Sequence, residues 1–126
     1  MKMFIQLFND KLHEFANDLC DSFPAVAEFK RFRSGVLFWS NLEPAGLENM
    51  FYTYVLSKYR DHILRKNESF FLEHNEYELG STRIEYWVEL IDQLKAMWIT
   101  LDEENKDVIW KYLHVLIVLS DKSRSS

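Results

Sequence analysis

Cysteine occurs once in this chain, at Cys20, so no internal disulfide can form. Proline occurs twice and glycine three times, which argues against a fold of many tight turns and for few, long elements. Gly35, Gly46 and Gly80 stand too far apart to build a phosphate-cradling loop or a dinucleotide fingerprint. Gly-x-Ser-x-Gly is missing, and so is Glu-x-x-His, which removes the ligand set of a di-iron bundle. No two of His13, His62, His74 and His114 have helical ligand spacing. Glu73, His74, Glu76 and Glu78 lack the spacing and glycine of a calcium loop. Cys20 borders an apolar stripe, where a thiol is inert. The expectation is a protein without catalysis, metal or cofactor.

Long apolar runs are missing too. The longest, from Val115 to Leu119, is far too short to span a bilayer. The apolar start MKMFIQLF is interrupted by Asn9, Asp10 and Lys11, unlike a signal peptide. A soluble intracellular protein with no membrane contact is therefore expected, in which the Asn67-Glu68-Ser69 sequon stays unmodified.

What is present is apolar and aromatic. Of 126 residues, 48% are hydrophobic and 16% aromatic, enough for one domain with a real core. Phe4, Phe8, Leu12, Phe15, Leu19 and Phe23 recur at three- and four-residue spacing, which is one buried helical stripe. A second helix is predicted over 24–40, opening on Pro24, with Val26, Phe29, Phe32, Val36 and Trp39 inward and Gly35 marking a bend or close crossing. Residues 41–46 read as a loop. A third helix is predicted over 47–66, burying Leu47, Met50, Phe51, Tyr54, Val55 and Ile63. Residues 67–80 resist assignment. Thr82 and Glu85 have the spacing of a capping box, opening a fourth helix with Ile84, Trp87, Ile91, Leu94, Trp98 and Leu101 on one face. Asp102 caps a fifth helix, with Glu103 and Glu104 in its first turn.

That last helix differs from the rest. Between Val108 and Leu119 only Lys111 and His114 are polar, continuing a narrow stripe from Glu104 and Asp107. One buried face cannot account for so much apolar surface. The helix is either central to the bundle, which is the preferred placement, or half of a homodimer contact through Val108 to Leu119. With no strand-like alternation anywhere, the fold class is all-α: a compact bundle of about five helices over 1–119, with a flexible polar tail over 120–126.

Net charge is −5, divided unevenly. Up to Lys66 there are 9 basic and 8 acidic residues; from Asn67 onward, 6 and 12. The overall balance argues against a strongly basic nucleic-acid binder. Local edges remain as candidates. Lys30, Arg31 and Arg33 on the second helix, with Lys58, Arg65 and Lys66 on the third, would serve nucleic acid if those helices pack together beside aromatics such as Phe32, Phe38 or Tyr59. Arg65, Lys66, Phe70 and Phe71 are the candidates for contact with a protein partner, since Arg and aromatic side chains carry interface energy well.

Two strings go beyond periodicity. Ile63-x-x-Lys66-Asn67-Glu68-Ser69-Phe70-Phe71-Leu72 and Trp98-x-x-Leu101-Asp102-x-x-Asn105-Lys106-x-x-Ile109-Trp110-x-Tyr112-Leu113 are similar to segments of uncharacterised helical proteins of large double-stranded DNA viruses of algae and other protists. The resemblance implies a viral protein of the host cytoplasm or the virion, and brings no catalytic residues with it. The functional expectation is a protein–protein interaction or assembly component. A nucleic-acid-associated protein is the alternative, and a small helical enzyme or ligand carrier a further one.

Overall fold

The computed structural model describes residues 2–69 and 85–125, and among these it is all-α with no strand. The helices are α1 (Lys2–Ser22), α2 (Ala27–Leu42), α3 (Pro44–Met50), α4 (Ser57–Leu64), α5 (Glu85–Trp98) and α6 (Glu103–Ser125). A π-helical turn, Phe51–Leu56, joins α3 to α4 without a break.

α1 is the hub. Its predicted stripe is buried at Phe8, Leu12, Phe15 and Leu19, while Phe4 and Phe23 are half-buried at its two ends. α2, α3 and α6 all pack on it. Phe8 meets Phe51 with ring centroids 5.4 Å apart, and Phe15 stacks on Tyr112 at 4.8 Å. α6 runs antiparallel to α1, since Tyr112 bonds Asp18 at one level and Lys122 lies over Phe4 at another.

The C-terminal helix is therefore not the central one, contrary to the preferred placement. Ile109, Trp110, Leu113, Leu116 and Ile117 face the core, while Val108, Val115 and Val118 remain in solvent. The predicted tail is also corrected. α6 continues to Ser125, with Ser120 wholly buried and Arg124 ion-paired to Glu48, so polar bonds rather than apolar periodicity hold its last turns.

Both prolines exchange their expected roles. Pro24 sits at the second position of a turn closed by Val26 N–H to Phe23 O, 3.1 Å, where its fixed φ is favoured. α2 begins only at Ala27, and Gly35 is buried within it without interrupting it. Pro44 instead opens a helix, so of the predicted loop over 41–46 only Glu43 lies outside a helix.

The π turn alters the register of the third predicted helix. Ser57 N–H reaches Tyr52 O, five residues back. One extra residue in that turn moves the next inward position from 58 to Tyr59, which is buried although it lies off the stripe read from the sequence. The α4 end is a Schellman motif: Asn67 N–H bonds His62 O at 2.8 Å and Lys66 N–H bonds Ile63 O at 3.1 Å. Lys66 takes the left-handed position usually given to glycine, at φ 53°. Asp102 caps α6 as expected, accepting from Asn105 N–H at 2.8 Å. Thr82 lies outside the described residues.

Candidate functional site

α6 has two faces of opposite character. Ile109, Leu113, Leu116, Ile117 and Ser120 lie inward. On the far side of the helix, Glu104, Val108, Lys111, Val115, Val118 and Lys122 are exposed at spacings of four, three, four, three and four. That is the spacing of a coiled-coil seam. Its valines are 40%, 39% and 48% exposed, a large fraction for β-branched apolar side chains in a row.

A groove runs beside this seam. Lys11 and Glu14 of α1 line it with Val108, Lys111, Tyr112 and Val115 of α6, enclosing about 220 Å³. Its floor is rigid. Tyr112 stacks on Phe15, donates its hydroxyl to Asp18, and carries the Lys11 ammonium 5.8 Å over its ring. Lys11 in turn pairs with Glu14 at 2.8 Å. Burial of the phenol, then its hydrogen bond to the Asp18 carboxylate, pushes Tyr112 well above the ordinary tyrosine range. It stays a neutral donor at any physiological pH. Leu7, one turn before Lys11 on α1, is another exposed apolar residue.

The second polar constellation closes the far end of α6. Glu48 is buried on α3, accepting from Ser120 Oγ at 2.6 Å and from Arg124 Nε and Nη2 at 2.8 and 3.2 Å. The guanidinium also reaches Asn49 Oδ1 at 3.2 Å and lies 3.6 Å from the centroid of the Tyr52 ring, on the π turn. An open cavity of about 450 Å³ borders it, between Ile5, Glu43, Glu48, Asn49 and Arg124. One helical turn away, Arg60 grips Asp121 with two bonds of 2.5 and 2.7 Å, which lowers the Asp121 carboxyl below its usual range. A buried carboxylate bound by a hydroxyl and a guanidinium is electrostatically complete. This end works as a clamp between α3 and α6.

The residues singled out from the sequence are dispersed. The predicted third helix meets α2 through α3, and α4 makes no extensive contact with α2, so Lys30, Arg31 and Arg33 form one exposed edge and Arg65 and Lys66 another. Arg31 approaches Glu28 at 4.0 Å and Lys66 approaches Asp107 at 4.0 Å. Phe70 and Phe71 lie outside the described residues, as does the side chain of Lys58. Of the aromatics offered as platforms beside the basic edges, Phe38 is exposed, whereas Phe32 and Tyr59 are core. Glu68 accepts from the Trp98 indole at 2.5 Å and pairs with Lys106 at 3.6 Å, holding the end of the third predicted helix against α5 and α6.

The three described histidines serve structure: His13 meets Ser40 Oγ at 3.0 Å, His62 meets Asn67 at 3.2 Å, and His114 bonds Ile63 O at 2.8 Å, while His74 lies outside the described residues. His114 thus faces α4, leaving the stripe that the sequence assigned to it. Among the described residues no three His, Cys, Asp or Glu side chains gather around one point as metal ligands. Among them, too, no helix is long and apolar enough to cross a membrane. Comparison with protein-family models, curated proteins and solved structures finds no match.

Sequence reasoning missed Glu48, Arg124 and Tyr112. The separation of Glu48 from Arg124 carries no local signal. For the seam a signal did exist: the four-three repeat from Glu104 to Lys122 is legible, but so is the inward repeat one residue away.

Proposed function

We propose that this chain acts as a non-catalytic interaction or assembly protein, and that it binds its protein partner through the outer face of α6 and the adjoining edge of α1. One observation carries the reading: the exposed Val108, Val115 and Val118 lie opposite a helix face that already meets the core. Among the described residues, nothing in the packing calls for a second apolar stripe there. Water-exposed valines in a regular seam, beside an apolar groove with a rigid tyrosine floor, fit the core of an interface rimmed by Lys11, Glu14 and Lys111. The resemblance of residues 63–72 and 98–113 to viral helical proteins is in keeping with an assembly component of a virus, working in an infected cell or a virion.

The test is affinity capture of the tagged protein from its native cell extract, with nuclease present, using wild type and the variants Val115→Glu and Val118→Glu. The expected result is one protein partner retained by wild type and lost with both variants while helicity is unchanged. Equal recovery from all three proteins overturns the reading. Recovery that collapses on nuclease treatment, and falls when Arg31 and Arg33 are replaced, would transfer the function to the basic edge of α2.

A further inference from the structure

Resting on that reading, we infer that the partner of the α6 face is a second copy of this chain, docked antiparallel about a two-fold axis so that Glu104 of each meets the partner's Lys122. The charge order along the seam carries this. From its N-terminal end the exposed row reads Glu104, Val108, Lys111, Val115, Val118, Lys122, acidic at one end and basic at the other. A parallel pair would set glutamate on glutamate and lysine on lysine at three levels, each unfavourable. An antiparallel pair centred between Lys111 and Val115 sets Glu104 against the partner's Lys122 at both ends. It also sets Val108 against the partner's Val118, and Lys111 against the partner's Val115. A two-fold axis requires a self-complementary patch, and this row is one.

Neighbouring registers are worse. Sliding one heptad toward the C-terminus sets Lys111 on the partner's Lys122. Sliding one heptad the other way sets Glu104 on the partner's Val115 and shortens the overlap. In the favoured register the contact from Glu104 to Lys122 is about 27 Å long at 1.5 Å per residue. The stem of each Lys111 covers a valine while its ammonium reaches the rim, where Glu14 lines the same groove. Lys122 keeps its own α1 contact, 5.8 Å over the Phe4 ring, while its side chain remains exposed at the end of the row. A single helix pair is a small interface, so the dimer belongs to the weak, concentration-dependent class.

Sedimentation equilibrium of the intact chain over a wide concentration range tests this. Wild type should form a reversible dimer. Glu104→Lys should weaken it by about tenfold or more, because both ends become repulsive, and Lys122→Glu should do the same. An equimolar mixture of these two variants should recover the wild-type constant, since each end then pairs lysine with glutamate. The double variant E104K/K122E should recover it alone. These side chains are exposed, so each variant should keep wild-type helicity by circular dichroism. A dimer indifferent to Glu104→Lys, or singles that the mixture does not rescue, overturns the antiparallel register. A wild type that stays monomeric throughout overturns the second copy as occupant. In that event the capture experiment decides the broader reading separately: loss of a different protein with Val115→Glu leaves the interaction face standing, and equal recovery removes it too.

Discussion

Val115 and Leu116 are neighbours of nearly the same chemistry with opposite fates. Leu116 is completely buried between α6 and the core, while Val115 is 39% exposed on the outer seam. One residue is a rotation of about 100° around a helix, so a helix that is apolar all round must present something apolar to whatever lies outside it. The inner face explains the stability of the domain. The outer face packs against none of the helices described, and the proposed interface rests on it.

A charge on each face breaks the comparison most directly. Leu116→Glu should unfold the domain or cost about 4 kcal/mol or more, because an unpaired carboxylate has no place in a packed core. Val115→Glu should change stability by about 0.5 kcal/mol or less and act on association alone. Urea melts of both, with sedimentation of the second, check the pair. Equal destabilisation would mean that both faces are internal.

The inner face also has a polar end, which Arg124→Ala probes. The substitution strips the buried Glu48 carboxylate of its guanidinium and leaves it the Ser120 hydroxyl, at a cost of about 2–3 kcal/mol in a thermal or urea melt. A loss near zero would show that the last turns of α6 add little to the fold.

The flanks between the faces answer to pH. Because Tyr112 is raised in the folded chain, its contribution is full below the ordinary tyrosine value of about 10 and is lost as pH rises from there toward the raised value. Tyr112→Phe should flatten that alkaline limb in a pH series of melts. Asp121 is lowered by Arg60, so its contribution is full above the ordinary aspartate value of about 4 and disappears as pH falls through the lowered one. This pair is partly exposed, and Asp121→Asn should cost about 1 kcal/mol at neutral pH and little in acid.

The smallest effect expected is a gain. Lys66→Gly relieves a left-handed residue at the end of α4 and should add about 0.5–1 kcal/mol, despite removal of the long contact to Asp107. If it destabilises instead, the approach of Lys66 to α6 matters more than backbone strain.

Much of the fold was legible. Periodicity found the buried stripe of α1, the inward residues Phe29, Phe32 and Val36 of α2, and the Asp102 cap, because each depends on neighbours within a turn or two. It erred where one turn departs from 3.6 residues, at the π segment that turns Tyr59 inward. It erred again where proline served equally for a turn or a helix start. The basic residues of α2 and α4 looked like one patch only while the packing of those helices was unknown. The seam was half legible: its spacing was in the sequence, its exposure was not.

By itself, then, the sequence determined an all-α chain of long amphipathic segments, with α6 apolar on more sides than one neighbour can cover. Those properties follow from which residue types recur at which interval, and need no knowledge of what lies opposite. Tertiary structure alone decided that α1 is the hub, that Glu48 finds Arg124 across the chain, and that Val115 faces out while Leu116 faces in. Each of these is a choice among helix faces of similar composition. It is settled by long-range packing, where the buried side is the one whose shape and hydrogen bonds the other helices can satisfy.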